Sequence, residues 1–409
     1  MLKEYCKKSY ESPDLFVGMR FHEGVPEVVF PHGFDISKDD KECRKDIFKL
    51  LSVLKTFSQK KEGDSFQYGD KDISSFPLES YQYIIQDFLS HGYYVEKEIR
   101  YVQAVRGKIN WKRTIQQEKA CIDGENVVYL KFQTKTNQIN ENNIITQIHK
   151  YCVYHSFYLF GWLYLANEYL PEKPQIPFNK KYFLDILGSA LSRTFNDQKR
   201  QLFKHMINII NDQQQNMKKK DIAIGVNRFD PIWEKLVDYI FGSENKEKYF
   251  PHATWNIIRD GKIEKSSALE PDTIMKWNDK IFVLDAKYYK YGITYHTKDL
   301  PQTSSIQKQI TYGKHIAENF TEVQKQAVYN AFIMPFTAGK EEKMKFISVG
   351  TADWEIYNQS TSNYAYVLGI LIDTKWLISQ YSLEYQKEVE RLACLIEDSL
   401  NRYRKINNE

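Results

Sequence analysis

The sequence has no Cys-x-x-Cys pair. Its five cysteines, Cys6, Cys43, Cys121, Cys152 and Cys394, are scattered and odd in number. That argues against a zinc site or a disulfide framework, and for reduced thiols in a cytoplasm. No Gly-x-x-x-x-Gly-Lys-Ser/Thr segment occurs in the 409 residues, so the chain is not expected to bind a nucleotide through a P-loop. Met1-Leu2-Lys3-Glu4 leads into a polar stretch, and no signal peptide is expected. The most apolar segment, Tyr151 to Leu170, carries His155, Asn167 and Glu168. It reads as a buried helix rather than a membrane span. The formal net charge is only +4, which excludes a polycation; any surface for nucleic acid has to be a local patch. No stretch reads as a zinc finger or a comparable DNA-reading motif.

What is present is the profile of a soluble globular protein, with 42% hydrophobic and 27% charged residues. The length allows two or more domains with real cores. Aromatic residues reach 15%, with 29 tyrosines. Abundant Lys, Asn and Ile accompany them, as in chains encoded by AT-rich DNA, so they are not read as a stacking surface.

Along the chain, Phe16 to Phe21 and Pro26 to Phe34 predict a β-hairpin with its flanks. Lys45 to Phe57 places Ile47, Leu50, Leu51 and Leu54 at helical spacing. Lys60 to Asp70 is a polar loop, and Leu78 to Leu89 a second helix closed by His91-Gly92. Tyr93 to Val105 and Val127 to Thr134 are strands. Between them lies a compact basic stretch, Gly107 to Ile115. Its simplest reading is a strand whose Trp111 anchors the core. The functional alternatives are phosphate contact through Lys108, Lys112 and Arg113, or an anchor for a protein partner. Ile144 to Tyr169 and Lys180 to Met217 are helical, with Phe183, Leu187, Leu191 and Phe195 among the apolar positions. The Lys218-Lys219-Lys220 run marks a boundary, which gives an N-terminal α+β domain over 1–218 and a second domain over 219–409. Asp230 to Gly242 is a short helix, with Asp230 as its cap, Pro231 at its first position and Glu234 in its first turn. Thr303 to Ala331 reads as helix, Lys345 to Gly350 and Ala365 to Ile372 as strands, and Trp376 to Arg404 as a closing helix.

The chemistry concentrates in Glu270 to Tyr289. Asp272 to Trp277 predicts a strand that ends in the turn signal Asn278-Asp279. Ile281-Phe282-Val283-Leu284 begins a second strand. Period-2 alternation puts Asp285 and Lys287 on one face of it, and a hairpin brings Asp272 near. Two carboxylates and an ammonium then converge. Hard carboxylate oxygens suit Mg²⁺ (Mn²⁺ can substitute), while a lysine positions water and offsets phosphate charge. An ordinary ion pair on a surface hairpin is the bland alternative. Against it, a strand that ends four apolar residues in two charges needs a reason to place them there.

Pro271-Asp272 followed by Asp285-Ala286-Lys287 resembles the PD-(D/E)xK nuclease signature. The likeness reaches further. Phe16-Val17-Gly18-Met19, Phe30-Pro31-His32-Gly33-Phe34, the 107–115 stretch, Phe229 to Glu234, Trp255 and Glu270 to Tyr289 resemble, in order, segments of the LlaJI family of restriction endonucleases, itself similar to the McrC nuclease subunit. The resemblance implies an α/β (α+β) protein whose C-terminal PD-(D/E)xK core is a mixed sheet flanked by helices, in α-β-β-β-α-β order. It implies cleavage of double-stranded DNA with Mg²⁺, under a separate McrB-like AAA+ GTPase that binds the nucleotide this chain does not. The N-terminal half would dock on that partner. By this likeness Asp272, Asp285 and the Ala286 carbonyl hold the metal, Glu234 joins directly or through water, and Lys287 holds the attacking water. The Lys287 pKa is expected to fall if it is desolvated beside the metal. Gln309, with Tyr312 three residues on, matches a Gln/Tyr helix of the family at shorter spacing; Lys308 is its rival. Two other classes stay open: a catalytically silent assembly or DNA-binding subunit, and an autonomous nuclease. The expected location is the cytoplasm, away from any membrane.

Overall fold

The computed structural model describes residues 2–11, 15–22, 25–57, 76–140, 143–164, 170–212, 223–320, 327–338, 345–354, 360–380 and 386–408. The Lys60–Asp70 loop and the Lys218–Lys220 run fall outside the described residues. The chain is mixed α/β, as expected. Among the described residues, no helix is long and apolar enough to cross a membrane.

Residues 2–57 form β1 (Cys6–Lys8), β2 (Val17–His22), β3 (Val25–Phe30) and α1 (Asp40–Phe57). Next come α2 (Leu78–His91), β4 (Glu96–Ala104), β5 (Lys108–Ile109), α3 (Trp111–Gln117), β6 (Ala120–Asp123), β7 (Asn126–Tyr129) and β8 (Phe132–Asn140). They are followed by α4 (Ile144–Tyr164), α5 (Lys180–Arg193) and α6 (Asp197–Asp212). After these come β9 (Ala223–Val226), α7 (Asp230–Phe241), β10 (His252–Ile257), β11 (Lys262–Ala268), β12 (Thr273–Trp277), β13 (Lys280–Ala286), α8 (Tyr291–Thr294) and α9 (Thr303–Asn319). The chain closes with β14 (Val328–Phe336), β15 (Phe346–Asp353), β16 (Tyr366–Asp373), α10 (Thr374–Gln380) and α11 (Gln386–Asn408).

These elements make two compact units, Met1–Phe76 with Met217–Glu409, and Pro77–Asn216. The expected division at 218 is corrected accordingly, because the first 76 residues fold with the C-terminal half. Strand pairing is the cause. β9 pairs antiparallel with β2, and β2 with β3, so a sheet ordered β1-β3-β2-β9 joins segments two hundred residues apart. Gly18 and Gly225 face each other there; a Cβ on Gly225 would lie 2.3 Å from the Phe16 ring.

In the Pro77–Asn216 unit, α2, α4 and α6 enclose a core that includes Tyr81, Ile84, Cys152, Phe160, Phe203 and Met206. Tyr81 Oη donates to the buried Asp212. The long helical run expected over 180–217 is two helices. Asn196 accepts from Lys199 N–H and starts α6, which leaves Phe195, one of the apolar positions of that run, 91% exposed. The 107–115 stretch is not a core strand either. Asn110 accepts from Arg113 N–H and caps the short α3, and Trp111 is 55% exposed, its ring edge-on to Phe132.

The larger unit is built on a five-stranded sheet ordered β12-β13-β14-β16-β15. β12 and β15 are antiparallel to their neighbours, while β13, β14 and β16 run parallel. β14 is buried along its whole length. Residues 328–331, expected to end a helix, are the start of this central strand, since a strand covered on both faces is apolar at every position and carries no period. Of the three consecutive strands in the α-β-β-β-α-β order that the resemblance implies, the main sheet holds two before α9, β12 and β13. Among the described residues β10 and β11 pair with each other and not with the main sheet, and most of their residues are exposed. Ile274, Ile281 and Val283 pack with Tyr312 and Ile316 of α9 on one face. On the other face Trp233 of α7 lies against Tyr288 and donates to the Ile333 carbonyl.

The Phe30–Phe34 segment is bonded into this unit. Phe34 N–H donates to the Pro31 carbonyl, and Gly33 at the third turn position has φ +80°, as a type II turn requires. A Cβ there would lie 2.4 Å from Thr374 Oγ1, which donates to the His32 carbonyl. Gly33→Ala is therefore expected to cost at least about 1–2 kcal/mol. A thermal or urea unfolding midpoint equal to wild type would contradict this account of the turn.

Candidate active site

The hairpin register creates the site. Thr273 pairs with Leu284 and Ile274 with Val283, so the next step along each strand sets Asp272 opposite Asp285. Asn278 makes the reversal with φ 51°. Asp272 Oδ2 accepts from Ala286 N–H at 2.8 Å. Lys287 Nζ lies 2.7 Å from Asp285 Oδ2, and its side chain is 23% exposed against 8% for Asp285. Asp272, Asp285 and Lys287 are thus brought together on one face, as the alternation required. Glu234, on the exposed side of the first turns of α7, is near enough for its charge to act on Asp272. Asp230 is the first helical residue rather than the cap, and its carboxylate turns to Arg228.

Charge crowding dominates the electrostatics. Burial, then the negative charges of Asp285 and Glu234, push the Asp272 pKa up to about 7; the bond from Ala286 N–H opposes them. The carboxyl groups of Asp272 and Asp285 are close enough to share a proton. For Lys287, burial disfavours the charge, but Asp285 outweighs it, and the pKa lies above the ordinary lysine value. The group nearest the ammonium is the Asp285 carboxylate, which favours the charged form.

Helix α9 holds both carboxylates from beneath. Gln309 Nε2 donates to the Val283 carbonyl at 2.7 Å, two residues before Asp285. Tyr312 Oη donates to the Glu270 carbonyl at 3.2 Å, two residues before Asp272. Gln309 is 1% exposed, so its link to the pair runs through the backbone that carries Asp285. Lys308 instead lies at Tyr312. That hydrogen bond, with lesser help from the charges of Asp285 and Asp272, raises its pKa. Sequence reasoning missed Lys246, whose Nζ bridges Asp238 Oδ2 (2.6 Å) and the Asp272 carbonyl (2.7 Å). It also missed the clamp on Tyr288, where the His32 ring stacks at 3.6 Å and His32 N–H donates to Tyr288 Oη. The only signal for this clamp was the Pro-His-Gly turn. Lys108, Trp111, Lys112 and Arg113 lie in the Pro77–Asn216 unit and are exposed. Arg113 sits over the Tyr101 ring at 4.1 Å.

The donors suit a divalent cation. Two carboxylates and the Ala286 carbonyl offer hard oxygens, and the crowding that raises Asp272 is the excess negative charge such an ion relieves. Among the described residues, no three His, Cys, Asp or Glu side chains form a ready-made cage.

Comparison with known proteins adds three findings. The model of the LlaJI restriction endonuclease family matches residues 16–370. A Bacillus subtilis (strain 168) protein described as the type II restriction enzyme BsuMI component YdjA is 24% identical over 349 residues, 80% of this chain and 73% of that one. A refined half-complex from a tetradecameric assembly of Thermococcus gammatolerans McrB AAA+ hexamers with bound McrC matches 95% of this chain and 82% of that chain. Its identity is 13% and its TM-score 0.36, too loose a superposition to place any residue of the site.

The Asp272 pKa gives a stability test. Its folded value lies above the unfolded carboxylate value, so its contribution is fully present below about pH 4 and lost as pH rises towards 7. In EDTA, Asp272→Asn is expected to melt above wild type at pH 8, with the gap closing by pH 4. A variant that melts below wild type at pH 8 would show that the carboxylates are not crowded.

Proposed function

The chain belongs to the LlaJI restriction endonuclease family, and from that premise we propose that it is the DNA-cleaving subunit of a restriction system. In this reading it is a PD-(D/E)xK nuclease that hydrolyses phosphodiester bonds of double-stranded DNA with Mg²⁺. The observation that carries the reading is the convergence of Asp272, Asp285 and Lys287 where β12 and β13 meet.

Asp272, Asp285 and the Ala286 carbonyl would hold the ion, with Glu234 reaching it directly or through water. Mg²⁺ bound there supplies a Lewis acid for the scissile phosphate and a lowered pKa for the attacking water. The chain does the rest. Ala286 N–H fixes the Asp272 carboxylate, and Gln309 and Tyr312 fix the strands that carry the pair. Lys287 is partly exposed and cationic at neutral pH. It is placed to hold the water by a donated hydrogen bond and to offset charge on the phosphorane-like transition state, the preorganised electrostatic role.

Control by a McrB-like AAA+ GTPase fits the missing P-loop. The description of the Bacillus relative as a component agrees with such a division of labour. The Pro77–Asn216 unit offers exposed apolar side chains for docking: Trp111 and Ile115 one turn apart on α3, and Ile122 opposite Val127 in the β6–β7 pair, all more than half exposed. Trp111→Ala with Ile122→Asp is expected to weaken co-elution with the partner at least tenfold while leaving the melting temperature unchanged. Undiminished co-elution would remove these side chains from the interface.

Cleavage of supercoiled plasmid in Mg²⁺, with and without the partner and GTP, tests the function itself. Wild type should cut only with both. Asp285→Ala and Lys287→Ala should lose roughly 10³-fold in rate while keeping the fold and the partner. Cleavage retained in either variant refutes the assignment. Cleavage without the partner points to an autonomous nuclease, and none under any condition to a silent assembly subunit.

A further inference from the structure

Beside the carboxylate pair lies a cavity of about 650 Å³, within the ~300–1,000 Å³ usual for small-ligand sites. Glu234, Ala286 and Lys287 are in its wall, so it borders the candidate active site; Asp272 and Asp285 are not. All of its lining belongs to the larger unit.

Two features of the wall have no part in the mechanism above. The first is a pair of cations on the segment that follows the catalytic strand. Lys290 and Lys298 both line the cavity, both are exposed, and neither forms a salt bridge among the described residues. The second is His32. It is 6% exposed, and its Nε2 is buried without a hydrogen-bond partner. Its other ring nitrogen lies 3.4 Å from Ser9 Oγ, and its ring is fixed by the stack on Tyr288. An orphaned buried polar atom costs about 1–3 kcal/mol, so a partner for it is a gain. Burial and the charge of Lys290 hold the imidazole neutral, with its pKa lowered to about 3. A neutral imidazole suits the polar edge of an uncharged group rather than a phosphate. The free ammonium groups suit the phosphate. Tyr289, 37% exposed, adds a ring to the wall.

We propose that this cavity is a nucleotide subsite. It takes the deoxynucleotide adjoining the scissile phosphate, unstacked from its neighbours, with its phosphate on Lys290 and Lys298 and its base edge on Nε2 of His32. The inference rests on the nuclease reading for its place beside the scissile bond. Proteins that extrude or unstack a nucleotide read it by this combination of ring contact and hydrogen bonds to the base edge. Lys287 is shared between site and cavity, so a strand with its phosphate at Lys287 has the cavity within reach of its next nucleotide.

The test is calorimetric titration of the full-length protein in EDTA. The ligands are the four deoxynucleoside 5′-monophosphates and, separately, inorganic phosphate. At least one monophosphate should bind saturably and at least tenfold more tightly than inorganic phosphate. The double variant Lys290→Ala/Lys298→Ala, altered only at exposed positions, should weaken that binding at least tenfold. No saturable monophosphate binding, equal binding of inorganic phosphate, or an unchanged double variant would each overturn the subsite. Because no cleavage is needed, the two readings fail separately. Plasmid cleavage without monophosphate binding removes the subsite alone; monophosphate binding without cleavage leaves the pocket and removes its place beside a scissile bond.

Discussion

Two carboxylates held side by side at the end of an apolar strand repel each other, and the surrounding structure has to hold them in place. The hairpin register sets Asp272 across from Asp285, and nothing in the apolar run Ile281–Leu284 can move without moving them. Gln309 and Tyr312 grip the backbone two residues upstream of each carboxylate, and Lys246 grips the Asp272 carbonyl. Trp233 anchors α7 to β14 and so sets the neighbouring Glu234 at the rim. Such crowding lowers stability, and under the proposed function it is what a bound cation would relieve.

The N-terminal segment belongs to the same constraint. Tyr288 directly follows Lys287, and its ring and hydroxyl are held by His32. The turn that presents His32 depends on Gly33, and its carbonyl accepts from Thr374 at the start of α10. Close by, Lys375 pairs with the buried Asp46 of α1. Segments far apart in sequence thus converge behind β13, and for that reason the first 76 residues fold with the last 193 rather than with their sequence neighbours.

Much of the site was legible because its signals are local. An Asn-Asp turn, a four-residue apolar run and period-2 alternation suffice to bring Asp272, Asp285 and Lys287 to one face. Signals that depend on distant partners were not legible. β14 is buried on both faces, so its apolar run has no period and passed for the end of a helix. The inserted unit was invisible because β2 meets β9 only after two hundred residues. Trp111 was placed in the core by its hydrophobicity, and Phe195 among the apolar positions of one long helix, yet both face solvent. Gln309 was singled out by the resemblance, but its bond to the Val283 carbonyl was not legible.

The central claim is that the Asp272–Asp285 pair is built for a divalent cation. Mn²⁺ binding followed by electron paramagnetic resonance, on wild type and Asp285→Asn without DNA, tests it most directly. The account predicts saturable binding to wild type that Mg²⁺ displaces, and at least a tenfold loss in Asp285→Asn with the fold intact. Equal binding by the two proteins would contradict it, because the ion would then sit somewhere other than between these carboxylates.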